Sequence, residues 1–352
     1  MLNLRLVRSP LETTENETIL GEYNRLALDR IPLDEFVRWV QDSPAGPAWH
    51  AILETDDKRI VGHTCLFPLR TTYGGAHRIP AKSEYSFLHE DFRSQKIRGF
   101  ETTPRPPFIT LLDELFKHCV AQGWGPIFAS TPRKNQPFTR RAGLRAVEMP
   151  LWECFWILMP GNAAHHTPNI TSWQRLAFFG AGVVHRTLWS IASVALPSAH
   201  TLRPIPIGME ILEPDVNRLS FFEDAASLQW RYPEGQYVRY ELDSAPGDYL
   251  IVKRGAQDDF LRVCQWRLRS ANSLDSLLIA LIRAARADNA MGVRWAVYDD
   301  DAISAKIASH MRKIGFLCAR RIRIVMIHKK EEQFLARATW RMNDSLFSFH
   351  PS

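Results

Sequence analysis

Phe36-Val37-Arg38-Trp39, a break at Ser43-Pro44-Ala45-Gly46, and the strand-like run Ala48-Trp49-His50-Ala51-Ile52-Leu53-Glu54 decide how this chain is read, because the pattern returns. In its second appearance Leu228-Gln229-Trp230-Arg231-Tyr232-Pro233-Glu234-Gly235 precedes the strand-like Tyr249-Leu250-Ile251-Val252-Lys253. Each copy later has an apolar helix, a short buried run and a closing segment. These closing segments are Arg140-Arg141-Ala142-Gly143-Leu144 and Met311-Arg312-Lys313-Ile314-Gly315-Phe316. A repeat longer than about 100 residues is too long for a solenoid unit and suits a whole domain. The fold question reduces to what one half is, and the functional question to which half carries chemistry.

With 352 residues the chain has room for about two to three domains, each with its own core. Its 45% apolar and 23% charged content is that of a globular protein. A formal charge of +6 suits anionic ligands such as coenzyme phosphates, or an anionic membrane surface. The basic residues are scattered, so no DNA partner is expected. Cys65, Cys119, Cys154, Cys264 and Cys318 are far apart, without a CxxC pair, and all but Cys318 sit in apolar stretches. They are expected to be reduced core residues, with neither a zinc site nor a disulfide framework. Met1–Arg8 alternates like a strand and has no apolar signal region, so a cytoplasmic protein is expected.

Periodicity gives an element order. The first half reads as strand Asn3–Arg8, a loop at Thr13, Thr14 and Asn16, and helices Ile19–Leu28 and Leu33–Gln41. Strands Trp49–Glu54, Ile60–Leu69 and Lys82–Leu88 follow, then the polar stretch His89–Arg98 and helix Phe108–Gln122. Strand Pro126–Ser130, a short helix Pro137–Ala142, and strands Leu144–Glu148 and Trp152–Leu158 close that half. The second half repeats this with helical Arg218–Leu228, strands Tyr249–Lys253 and Leu261–Leu268, and helix Leu274–Ala287. Strand Val293–Tyr298, helix Ala302–Lys313, and strands Leu317–Ala319 and Ile322–Ile327 complete it. The expected fold class is α/β, a mixed α+β sheet with helices on it. The expected division is 1–160, a connector 161–207 with an apolar helix, 208–335, and a tail 336–352.

Between Leu176 and Pro197 the apolar run is split by His185-Arg186, too short on either side to span a bilayer. A helix packed in a groove between the halves is favoured by Gly180, Ala181 and Gly182. Peripheral membrane contact through 173–197, at the inner face of the membrane, is the alternative.

The order of elements resembles the GNAT superfamily of acyl-coenzyme A acyltransferases, in both halves. The matching residues are Arg59-Ile60-Val61-Gly62-His63, Leu88-His89-Glu90-Asp91-Phe92-Arg93, and Asn135-Gln136-Pro137-Phe138 with Arg141-Ala142-Gly143-Leu144. The resemblance implies two tandem GNAT-like domains, as in bacterial exopolysaccharide-associated acyltransferases, FemAB-type aminoacyl transferases and N-myristoyltransferase. It implies acyl-coenzyme A (acetyl-coenzyme A) as co-substrate, no metal, and a sugar or other small-molecule acceptor with an amine or hydroxyl. It places the coenzyme against Leu88, Arg93, Ser94, Gln95, Lys96, Ile97, Arg98, Gly99 and Asn135. The family's loop keeps small residues so that backbone amides reach the pyrophosphate. Here Lys96 and Arg98 stand at the small positions, so either basic side chains hold the phosphates or the amide cradle is lost. The second half has Ser270-Ala271-Asn272-Ser273 at that place, and its expected task is to shape an acceptor cleft.

Glu84, on the strand leading to the loop, is the candidate general base. Strict alternation would put Glu84 with Ser86 and Leu88, and Tyr85 with Phe87 on the other face. His89 is the second catalytic candidate, acting through a water. His165-His166 lacks a third metal ligand, and Asp299-Asp300-Asp301 reads as a helix cap. Trp39 and Trp230 read as core anchors. Two alternatives come from other classes: a FemAB-like transferase using charged tRNA, and a non-catalytic, membrane-associated scaffold.

Overall fold

The computed structural model describes residues 1–26, 30–102, 105–130, 136–159, 171–195, 202–208, 218–221, 224–243, 245–253, 260–268, 274–298, 302–330 and 332–336. In the first half β1 (Asn3–Arg8) leads to helices α1 (Thr13–Leu26) and α2 (Leu33–Gln41). Strands β2 (Trp49–Glu54), β3 (Ile60–Pro68), β4 (Thr71–Tyr73), β5 (Ala76–Arg78) and β6 (Ala81–Leu88) follow. Then come α3 (Pro107–Ala121), β7 (Ile127–Ser130), α4 (Gln136–Arg141) and β8 (Leu144–Ile157). Helix α5 (Ser172–Ala195) connects to the second half. That half contains β9 (Leu202–Ile205), β10 (Ser220–Phe221), α6 (Ala225–Arg231), β11 (Tyr237–Leu242), β12 (Ala245–Lys253) and β13 (Phe260–Arg267). It ends with α7 (Leu274–Ala287), β14 (Gly292–Tyr298), α8 (Ala302–Lys313) and β15 (Leu317–His328).

Twelve strands form one mixed sheet in the order β1-β2-β3-β6-β7-β15-β8-β14-β13-β12-β11-β9. The pairings β6–β7 and β13–β14 are parallel. At the centre the halves exchange their last strands. β8 belongs to the first half by sequence, yet both its neighbours, β15 and β14, come from the second. β15 in turn lies between β7 and β8. The closing strands expected as Leu144–Glu148 and Trp152–Leu158 are therefore one strand, and so are those expected as Leu317–Ala319 and Ile322–Ile327. Pro150 and Arg320-Arg321 look like breaks in the sequence, but Pro150 lies opposite Ile322 and Arg320 opposite Trp152 in a continuous ladder.

Other departures are local. Helix α1 begins at Thr13, where a loop was expected, with Asn16 buried and bonded to the Leu11 carbonyl. The helix expected over Arg218–Leu228 begins after Asp224, whose carboxylate accepts from the Ser227 N–H at 2.8 Å. Upstream of it, β10 pairs with β4 in a separate three-stranded sheet that ties the halves together.

The repeated tryptophans meet each other. Trp39 on α2 and Trp230 on α6 are buried with ring centroids 4.5 Å apart, edge to face. The Trp230 ring N–H donates to the Arg38 carbonyl at 3.0 Å. Their cluster includes Phe67, Tyr85 and Phe128 from the first half and Tyr298 from the second. The opposite face of the first half packs under α3 through Ile109, Leu112, Leu115 and Phe116.

Cysteine usage needs correcting. Cys65, Cys119 and Cys264 are free and buried as expected. Cys154 and Cys318, however, form a disulfide. They are 164 positions apart in sequence but face each other across the β8–β15 exchange, with Cα atoms 4.1 Å apart. The expectation for α5 also changes. Only Gly182 and His185 of its described residues are fully buried, and Trp173, Leu176, Phe179, Val183 and Val184 are exposed. His185 holds the helix down: the Ile157 N–H donates to its Nδ1 at 3.0 Å and its Nε2 donates to the Gly315 carbonyl at 2.5 Å.

Candidate functional site

β6 pairs with β7 only at Ala81–Ile127 and Lys82–Phe128. Beyond that point the two parallel strands part, β6 running on to Leu88 and β7 to Ser130. On its other edge β6 carries a bulge. Cys65 lies opposite Glu84 and His63 opposite Phe87, so Tyr85 and Ser86 together face Thr64. Tyr85 takes φ +52°, a left-handed backbone rare for a bulky residue. Bulges redirect side chains and are over-represented beside active sites.

The redirection alters which residues share a face. Thr64 contacts both Ser83 (3.5 Å) and Ser86 (2.7 Å) on one side of the sheet. On the other side Lys82 pairs with Glu84, while Tyr85 and Phe87 pack in the same cluster as Cys65 and Phe67. Glu84 thus shares a face with Tyr85 and Phe87, whereas strict alternation grouped it with Ser86 and Leu88. This is the face covered by α1 and α2, where Phe36 and Tyr23 pack edge to face on Tyr85.

Lys82 is fully buried, and desolvation pushes its ammonium down to about 8. Glu84 opposes that shift by pairing with it, while Arg231 and Arg323 add to it. Lys82 escapes sequence reasoning because a lysine in a short strand ordinarily reads as an outward-facing charge. Arg231 and Arg323, both from the second half, lie close enough to act on it.

Behind the bulge runs a buried hydrogen-bonded chain. The Tyr85 carbonyl can only accept, so His63 donates to it from Nδ1 at 2.8 Å. His63 Nε2 is then an acceptor, and His50 donates to it from Nδ1 at 3.0 Å. His50 Nε2 in turn accepts from the Ser9 hydroxyl at 2.7 Å. Both rings are neutral, which fits their complete burial. Desolvation pushes His63 down to about 4, and desolvation together with His63 and Arg5 holds His50 well below its usual value. Neither histidine is among the sequence-derived site candidates; one polar ring inside each of two apolar strands is the available signal.

The remaining candidates are spread out. Leu88 packs onto Gly62, where an added Cβ would come within 3.0 Å of it. His89 is held by α1: its Nε2 lies 3.2 Å from Glu22, and Arg25 donates to its Nδ1 at 3.3 Å. Arg93 and Ser94 are exposed, and Gln95 is half-buried. The rest of the loop crosses to the far edge of the sheet. Ile97 is buried against Leu2 through a β-bridge, with Leu2 N–H donating to Lys96 and Arg98 N–H donating to Leu2. There Lys96 bonds the Glu101 carbonyl, Arg98 pairs with Asp56 at 3.0 Å, and the Gly99 N–H donates to the Glu101 carboxylate. Ile97 therefore lies beside β1. The loop's two central basic side chains do not reach the β6–β7 gap.

Helix α3 brings few donors. Pro106 caps it and Pro107 is its first residue, and the Ile109 and Thr110 amides are spent on the Pro106 carbonyl. Of the first-turn amides, Phe108 supplies the remaining one. Asn135, His165-His166 and Asp299-Asp300-Asp301 lie outside the described residues. Among the described residues no group of three or more His, Cys, Asp or Glu is placed to hold a metal ion.

No protein-family model and no curated protein matches the sequence. Solved structures do match. A tandem GNAT protein from the clavulanic acid biosynthesis pathway superposes with a TM-score of 0.53 at 13% identity, over 92% of this chain and 98% of that one. The chain has a tandem GNAT fold. Two other solved structures resemble it over 92% of its length. One is a probable N-acyltransferase of unknown function from Enterococcus faecalis V583, with TM-score 0.57, 10% identity and 71% of that chain covered. The other is a GCN5-related N-acetyltransferase from Anabaena variabilis, with TM-score 0.55, 12% identity and 72% covered. Within this tandem GNAT fold, the parting of β6 from β7 and the bulge at Tyr85 belong to the first half.

Proposed function

We propose that this protein is an acyltransferase moving an acyl group, most simply acetyl, from an acyl-coenzyme A thioester to the amine or hydroxyl of a small-molecule acceptor. Amino sugars and sugars are the first acceptor class to test. The observation that carries this reading is the β6–β7 gap beside the bulge, with Glu84 on the face that α1 and α2 cover. The thioester carbonyl would lie at the gap, with the acceptor on the Glu84 side. Glu84 takes the proton from the acceptor nitrogen or oxygen as that atom attacks the carbonyl. The tetrahedral intermediate then releases coenzyme thiolate, which is protonated. Lys82 fixes the Glu84 carboxylate, and His89, steadied by Glu22 and Arg25, relays a proton through water. Exposed Arg93 is the cation left to meet the coenzyme phosphates, since Lys96 and Arg98 are engaged elsewhere.

Titration of dialysed protein with acetyl-coenzyme A, followed by calorimetry and thermal shift, tests the donor. Saturable binding is expected, with thiol release when amino sugars are added. Failure to bind any acyl-coenzyme A would remove the enzymatic reading. Pro106-Pro107 at the start of α3 favours a second reading, a tandem GNAT protein that has lost its donor and serves as a scaffold. Folded protein without donor binding is the outcome that distinguishes it.

A further inference from the structure

Helix α5 shows water the face that a soluble helix hides. Trp173, Leu176, Phe179, Val183 and Val184 recur at three- and four-residue spacing on one side and are all exposed, Trp173 at 81% and Leu176 at 61%. Among the described residues, those turned inward are Ala181, Gly182 and His185. An exposed apolar stripe of this kind marks a contact surface.

The charge around it indicates what covers it. From Cys154 to Met209 the chain has no aspartate or glutamate. At 38 acidic residues in 352, those 56 positions would ordinarily hold about six. The same stretch keeps Arg175, Arg186 and Arg203, and Arg175 is exposed beside the stripe. A protein partner of ordinary composition would not require one sign of charge to vanish over so long a stretch. A surface that is apolar beneath and anionic at its face would. No helix among the described residues is long and apolar enough to cross a bilayer. We infer that α5 is a peripheral membrane-binding face, lying in the plane of an anionic lipid surface with Trp173, Leu176, Phe179 and Val183 in the acyl boundary and Arg175 among the headgroups. This inference is independent of the acyl-transfer reading.

Flotation of the full chain with vesicles tests it. The two compositions are pure phosphatidylcholine and phosphatidylcholine with about one third phosphatidylglycerol. The protein is expected to float with the anionic vesicles, at least about tenfold more than with neutral ones, and less as salt is raised. Leu176→Glu with Phe179→Glu should reduce that binding at least about tenfold while leaving the circular dichroism and thermal midpoint unchanged, since both positions face solvent. Val184→Glu alone provides a milder second variant. Absence of flotation, or flotation indifferent to these substitutions, overturns the inference. It is equally overturned if light scattering finds a dimer that the same substitutions dissolve and no vesicle binding, which would make a second copy the occupant.

Discussion

Glu84 gains its orientation from its neighbour. One extra residue in β6 moves Tyr85 onto the same face, and the buried Lys82 ammonium holds the carboxylate there. On the proposed reaction, E84Q should lower turnover by about 10²–10⁴-fold and leave the donor dissociation constant within a factor of about two. Its thermal midpoint must be measured alongside, because the exchange removes the Glu84 charge from beside the buried Lys82 ammonium. The Ser9–His50–His63 chain makes a separate prediction about pH. The unfolded rings titrate near 6.5, whereas folded His63 is pushed down to about 4 and His50 is also low. Above pH 6.5 both states are neutral and nothing is lost. As pH falls from there toward 4, the unfolded chain takes up protons that the folded chain refuses, so stability falls. For His63 alone that amounts to roughly 2 kcal/mol by pH 5. His185 and His328 are pushed down too and add to the slope. The measurement is therefore a difference: urea midpoints between pH 7 and 5 should fall less steeply in H63Q, by about one proton. Parallel curves would refute the neutral chain.

Among the elements, two glycines show how the repeat is built. Gly143 follows α4 with φ +91°, and Gly315 follows α8 with φ +106°. Both stand at the point where a helix turns into an exchanged strand, so Gly315→Ala should cost about 1 kcal/mol in chemical denaturation. Gly292, at the start of β14, is under a harder constraint: a Cβ there would lie 1.9 Å from the Trp156 carbonyl oxygen, which is backbone and cannot swing aside. Gly292→Ala should therefore cost more than Gly315→Ala, about 2 kcal/mol or above. A smaller loss would mean that β8 and β14 approach less closely. At the helix level, Pro106 and Pro107 remove donors from α3 just where an anion would need them.

At the scale of the whole molecule the strand exchange governs cooperativity. A fragment ending at Met159 would have β7 and β8 without β15 between them, leaving open edges in the middle of its sheet. Such a fragment should be insoluble or molten when expressed alone and should recover native circular dichroism when co-expressed with residues 160–352. The intact chain should unfold in one transition, by tryptophan fluorescence and by far-ultraviolet dichroism alike. Trp39→Ala, which empties the contact with Trp230 between the halves, should lower stability by about 3–5 kcal/mol without splitting that transition. Two separated transitions would show that the halves hold their folds independently.

Much of this was open to sequence reading, because it depends on local periodicity. Helices α2, α7 and α8 were located at their observed bounds, the repeat placed Trp39 and Trp230 as equivalents, and the order of elements pointed to tandem GNAT-like halves. Contacts distant in sequence were not accessible that way. A periodic pattern says which face of a segment is apolar and cannot say what covers it. Only the folded chain decided that Cys154 meets Cys318, that β8 and β15 trade places, and that Lys82 is fully buried beside Glu84. Nor could alternation foresee the bulge that brings Tyr85 and Phe87 onto the face of Glu84, since an extra residue in a ladder exists only relative to the strand beside it.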